Sequence, residues 1–83
     1  MDNEKFIKEA KRRIFNYLYP KWKNNDKKFN DNDFFVAWVT KAASNNKCLI
    51  GRESSNDYFE VIYLGVGDIY VLDHYVLKKH TVI

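Results

Sequence analysis

The sequence predicts an α+β fold in two layers: one N-terminal helix packed on a four- to five-stranded antiparallel β-meander. Two observations predict it. Apolar residues recur at helical spacing through residues 3–19, and from residue 34 onward the spacing drops to two. The strand-like stretches are also separated by only a few residues, too few for the crossover helices that parallel strands need.

In residues 3–19, Phe6, Ile7, Ala10, Ile14, Tyr17 and Leu18 follow i, i+3/i+4, i+7 steps. At about 100° per residue they cover about 120° of a helical wheel, one face wide enough to pack on a sheet. Asp2 or Asn3 can supply the N-cap, and Glu4 suits the positive end of the helix dipole. Pro20 ends the helix, because proline disfavours helical geometry in the residue before it. Residues 20–33 are polar and read as a loop, since Asn and Asp side chains compete for local backbone hydrogen bonds. Trp22 and Phe29 are expected to pin that loop to the body.

Strands are expected in FFVAWVTKAA, KCLIGRE, YFEVIYL and DIYVLD, giving a meander over about residues 34–74. The breaks are Ser44-Asn45-Asn46, Ser54-Ser55-Asn56-Asp57 and Gly65-Val66-Gly67. Asn tolerates the left-handed backbone and Gly adopts it freely, so each break suits a hairpin. The tail 75–83 reads either as a fifth strand or as a helical turn. Strict alternation puts Phe34, Val36 and Trp38 on one face of the first strand, against Phe35, Ala37 and Val39 on the other. Both faces are apolar, and one helix covers only one. The loop and tail, or a partner, must cover the other.

The 83 residues form a single small domain, 1–83. A hydrophobic content of 46% excludes intrinsic disorder, and a single cysteine excludes an internal disulfide framework. No apolar run approaches the roughly 20 residues of a membrane span, and no secretory h-region is present. Residues 1–32 hold nine basic and five acidic side chains, a net of +4. Residues 33–83 hold five basic and six acidic, a net of −1. The basic pole can favour anionic partners.

Val36, Trp38, Lys41, Asn45-Asn46-Lys47 and Leu49 set a W-x-x-K-x-x-x-N-N-K pattern. It continues through Tyr58-Phe59-Glu60-Val61, Tyr63, Tyr70, Leu72-Asp73 and Tyr75. In these features the chain resembles a family of small phage and prophage proteins of Gram-positive bacteria, a family with no assigned activity. The resemblance covers about residues 34–75. The Gly65-Val66-Gly67 turn is a residue longer than the usual connection, and Val76-Leu77 replaces a more polar segment. The resemblance implies a phage-type accessory protein acting in the cytoplasm of a bacterial host. Nine Asn and eleven Lys are compatible with a low-GC host.

No catalytic residue, metal ligand set or cofactor is expected. Cys48 has no second thiol beside it and reads as a buried small hydrophobe. His74 and His80 could pair with Asp73 or Glu60, but no nucleophile stands at the spacing of a known triad. Gly65-x-Gly67 lies between strands and is a turn, not a phosphate loop. Glu60 suits a cross-strand pair with Lys41, Lys47 or Arg52.

The candidate partner-binding residues are Lys8, Arg12, Phe15, Tyr19, Phe34, Trp38 and Lys47. Phe15 and Tyr19 fall outside the helix's apolar arc, in the sector of Lys8 and Arg12. This makes a basic–aromatic stripe, extended by Lys21 and Lys23. The alternative is that Trp22, Phe29 or the tail folds over Phe15. Trp38 reads first as a core anchor against the helix, and otherwise as an exposed hot spot beside Phe34. Lys47 sits at the tip of an Asn-Asn hairpin. The functional expectation is a non-enzymatic protein that binds and modulates a host or phage protein, with homodimerisation compatible. The alternative is a nucleic-acid module using Lys8, Arg12, Arg13, Lys21, Lys23, Lys27 and Lys28. No membrane partner and no small-molecule substrate is expected.

Overall fold

The computed structural model describes residues 1–20 and 28–83. In chain order these form helix α1 (Asn3–Leu18), a 3₁₀ turn (Asp31–Asp33), and strands β1 (Phe34–Ala42), β2 (Asn45–Arg52), β3 (Asp57–Leu64) and β4 (Ile69–Val76). The strands are antiparallel in the order β1-β2-β3-β4, with the helix on one face. The expected two-layer α+β meander is therefore what the chain adopts, with four strands. Residues 77–83, past the end of β4, are neither helix nor a fifth strand.

Asp2 caps α1, its carboxylate accepting from the Lys5 N–H at 2.8 Å. Phe6, Ala10 and Ile14 form the buried seam at i, i+4, i+8. They pack on Phe34, Cys48, Ile50, Phe59 and Val61 of the sheet. Burying each large side chain contributes roughly 1.5–3 kcal/mol. The small Ala10 lets the helix approach the strands closely.

Two corrections concern β1 and its turn. Val36 pairs with Ile50 but Trp38 pairs with Leu49, so Ala37 is an extra residue that bulges out of the ladder. The bulge leaves Phe34 and Val36 on the helix face and turns Trp38 to the opposite face. They do not share a face, and Trp38 is not a helix-side core anchor. The first hairpin turn is Ala43-Ser44, closed by the Ala42–Asn45 pair, with Ala43 itself at a φ of 55°. Asn45 and Asn46 lie in β2, and neither they nor Lys47 form the tip. The register that buries Cys48 and Ile50 also points Asn46 at the helix. Asn46 is fully buried there, its Nδ2 donating to the Met1 carbonyl (3.0 Å) and to Asn3 Oδ1 (3.2 Å).

The β3–β4 loop is Gly65–Asp68, and Asp68, not a glycine, takes the positive φ of 50°. Gly65 is required for a different reason. A Cβ there would lie 2.1 Å from the Ser44 carbonyl oxygen, because the two turns pack against each other.

Candidate protein-docking face

The pairing registers place sixteen residues on the sheet face opposite α1. Across β1 to β4 they run in four rows: Phe35, Gly51, Tyr58, Tyr75; then Trp38, Leu49, Glu60, Asp73; then Thr40, Lys47, Ile62, Val71; then Ala42, Asn45, Leu64, Ile69. Ten of the sixteen are apolar or aromatic. Among the described residues no helix or strand lies over this face, and the tail borders its first row, where Leu77 and His80 line a groove with Tyr58 and Tyr75. Trp38, Tyr58, Ile69, Val71 and Tyr75 are each 39–52% exposed. A strand face left in water is ordinarily polar, and a contiguous apolar patch on a folded domain marks an interaction surface.

The face is ordered. Gly51 leaves room for the Phe35 ring, whose atoms would come within 2.4–2.9 Å of a Cβ placed there. Phe35 in turn meets Tyr58 edge-on, with ring centroids 6.0 Å apart. Lys47 pairs diagonally with Glu60 at 3.5 Å, one of the three basic partners foreseen for it. Asp73 stands directly opposite Glu60, giving the face a net charge of −1.

Of the seven candidate residues, only Trp38 and Lys47 lie on this face. Phe34 is buried beneath the helix. Phe15 is half-buried, edge-on to Phe29 at 5.5 Å, and Phe29 stacks on Phe34 at 5.8 Å. The stripe is thus broken at Phe15, and Phe29 is the residue that folds over it. Tyr19 is half-buried and accepts a hydrogen bond from Arg52 Nη1 at 3.2 Å. Arg12 is exposed on α1 and held by Glu9, which also takes Arg13 at 2.8 Å. The Arg12 hydrogen bond is the main reason the Glu9 carboxyl sits below its ordinary pKa. Arg13 also lies over the Tyr70 ring at 3.8 Å, and Lys11 pairs with Asp31 at 3.1 Å. Lys8 is exposed on the helix exterior and Lys28 just before Phe29. Lys21, Trp22, Lys23 and Lys27 lie outside the described residues.

Sequence reasoning missed a polar cluster at the C-terminal end of α1. Asp57 is buried and takes Arg52 Nη2 at 3.1 Å and His74 Nε2 at 2.8 Å, with the Ser55 hydroxyl also donating to it. The Tyr17 hydroxyl and His74 Nδ1 are 3.1 Å apart. His74 therefore pairs with Asp57, not with Asp73 or Glu60, and stacks on Phe59 at 4.5 Å. Burial pushes the Asp57 carboxyl up, but the His74 and Arg52 hydrogen bonds and the Arg52 charge outweigh it and leave the pKa lowered. A phenol, imidazole and carboxylate in series can pass a proton. The groove beside them, about 290 Å³, is lined by Arg52, Ser55, Tyr75 and His80 and does not reach Tyr17 or His74. The cluster ties α1 to β2, β3 and β4.

Cys48 is fully buried, and burial pushes its thiol up to about 12. Among the described residues no three His, Cys, Asp or Glu side chains are grouped to hold a metal ion. No helix among them is long and apolar enough to cross a membrane.

No curated protein and no solved structure matches the chain. A family model does match, over residues 7–83, so it takes in Ala10 and Ile14 of the helix seam, all four strands and the whole sheet face opposite α1. On that match the chain belongs to the family described as Family of unknown function (DUF6275).

Proposed function

We propose that this chain is a non-enzymatic accessory protein of phage or prophage type that binds and modulates a host or phage protein in the bacterial cytoplasm. The observation that carries the reading is the sheet face opposite α1, which no helix or strand among the described residues covers and which has ten apolar or aromatic residues in a sixteen-residue array. Aromatic side chains of this kind carry much of the energy of protein interfaces. Trp38, Leu49 and Ile62 supply the apolar centre, and Lys47, Glu60 and Asp73 supply its polar contacts. The phage setting rests on the W-x-x-K-x-x-x-N-N-K resemblance alone.

The nucleic-acid alternative draws less support from the geometry. Arg12 and Arg13 are both engaged by Glu9, and Phe15 is packed against Phe29 where stacking would need it open.

The test is affinity capture from a low-GC Gram-positive lysate, with and without nuclease, using the tagged wild type beside Trp38→Glu and Ile62→Lys. The expected result is a protein that survives nuclease and is lost with both variants, while their circular dichroism stays unchanged. Capture that persists in both variants would overturn the face as the docking site. Capture that vanishes with nuclease and falls steeply with salt would move the reading to nucleic acid.

A further inference from the structure

The two edges of the sheet differ. β1 carries the Ala37 bulge, and the groove along it is shared with Ile7, Lys8 and Lys11 of α1. Bulges and lysines are the ordinary means by which a protein blocks pairing at a strand edge. β4 has none of these. Its eight residues pair with β3 without a register shift, and it contains neither proline nor lysine. Among the described residues nothing pairs with its outer edge. Ile69 and Tyr75, at its two ends, are each about half exposed.

We propose that the β4 edge pairs antiparallel with β4 of a second copy, making one continuous eight-stranded sheet with both helices on the same side. Charge decides the register. A twofold axis through Asp73 would set Asp73 opposite its own copy, and like charges directly opposite are destabilising. An axis through Leu72 avoids this. It sets Val71 opposite the partner's Asp73, Tyr70 opposite the partner's His74, and Ile69 opposite the partner's Tyr75. Each half-exposed Ile69 is then covered by a half-exposed Tyr75, twice over. The pairing does not rest on the docking reading, but it extends it, since the two faces opposite the helices become one platform.

The test is sedimentation velocity and light-scattering mass over a broad concentration range, on wild type, Ile69→Glu, Trp38→Glu and Leu72→Cys. The expected species has twice the 9.9 kDa chain mass. It should persist in Trp38→Glu, which changes the sheet face far from β4, and dissociate in Ile69→Glu. Ile69 is half exposed, so that variant should keep the wild-type circular dichroism. Leu72→Cys should cross-link to itself under mild oxidant, because paired strands bring facing Cα atoms within disulfide reach. A monomer at every concentration would overturn the proposal. So would a dimer that survives Ile69→Glu, or one that Trp38→Glu dissolves, which would mean the faces stack instead. Loss of protein capture in Trp38→Glu with the dimer intact would separate the docking reading from this one.

Discussion

Replacing Asp57 with Ala should be among the most damaging single changes in the chain. The Arg52 and Asp57 side chains are only 13% and 10% exposed, and Asp57 meets Arg52 through three contacts of 3.1–3.3 Å. Removing the carboxylate strands a nearly buried guanidinium and takes the orienting partner from His74. Breaking one side of a buried pair costs about 3–5 kcal/mol, because the remaining charge is left uncompensated. For a domain of this size each 1 kcal/mol moves Tm by roughly 4–8 °C, so the fall should be at least about 12 °C. The double variant Asp57→Leu, Arg52→Met should recover most of the loss, because no charge is left behind. Acid gives an independent check. Asp57's pKa is lowered in the folded chain, so its stabilisation is present above the unfolded carboxyl value of about 3.9 and is lost as pH falls through the folded value. The gap between wild type and Asp57→Ala should therefore narrow in strong acid. Thermal and urea melts followed by circular dichroism would measure the wild type, the single variants and the double. A loss under about 1 kcal/mol for Asp57→Ala, or a double variant as unstable as the sum of the singles, would refute the reasoning.

Three further outcomes are expected. Phe59→Ala should cost about 3–5 kcal/mol in urea melts, since the ring is fully buried against the helix seam and under His74. Gly65→Ala should lower Tm measurably, because its Cβ would meet backbone at the Ser44 carbonyl and cannot swing aside. Cys48 should resist iodoacetamide at mildly alkaline pH and react at once in denaturant, as a thiol raised to about 12 and fully buried is neither ionised nor reachable.

The helix and the meander were legible because their hydrophobic periods differ and nothing competes with either. Asp2, Glu4 and Pro20 marked the helix ends, and the Asp2 carboxylate does cap the first turn while the helix stops at Leu18. The bulge at Ala37 was not legible, because both phases of FFVAWV are apolar and no alternation breaks at the extra residue. That single residue decides which side Trp38 faces. Asn45-Asn46 misled for the opposite reason: its local preference for a turn was overridden by the core register of β2. Phe29 was expected to pin the loop, and its stack on Phe34 and edge-on contact with Phe15 are what close the helix stripe. The Asp57 cluster was hidden because Arg52, Ser55 and Asp57 read locally as an ordinary hairpin, while His74 and Tyr17 reach it from β4 and α1, 17 and 40 residues from Asp57.

The two faces of this sheet are asymmetric in a way that stability alone does not require. The helix face holds the buried core and seats the helix with polar ties at each end, Asn46 at one and Asp57 at the other. The helix therefore takes its packing and its polar ties from the one face, and on the opposite face Thr at Trp38, Ile62 and Val71 would still suit a β-strand. Surface substitutions at such positions ordinarily change stability by about 0.5 kcal/mol or less. Trp38→Glu should accordingly fold like the wild type while altering whatever the face touches. If it instead unfolded the chain, the exposed aromatic would belong to the scaffold, and the docking reading would lose the observation that carries it.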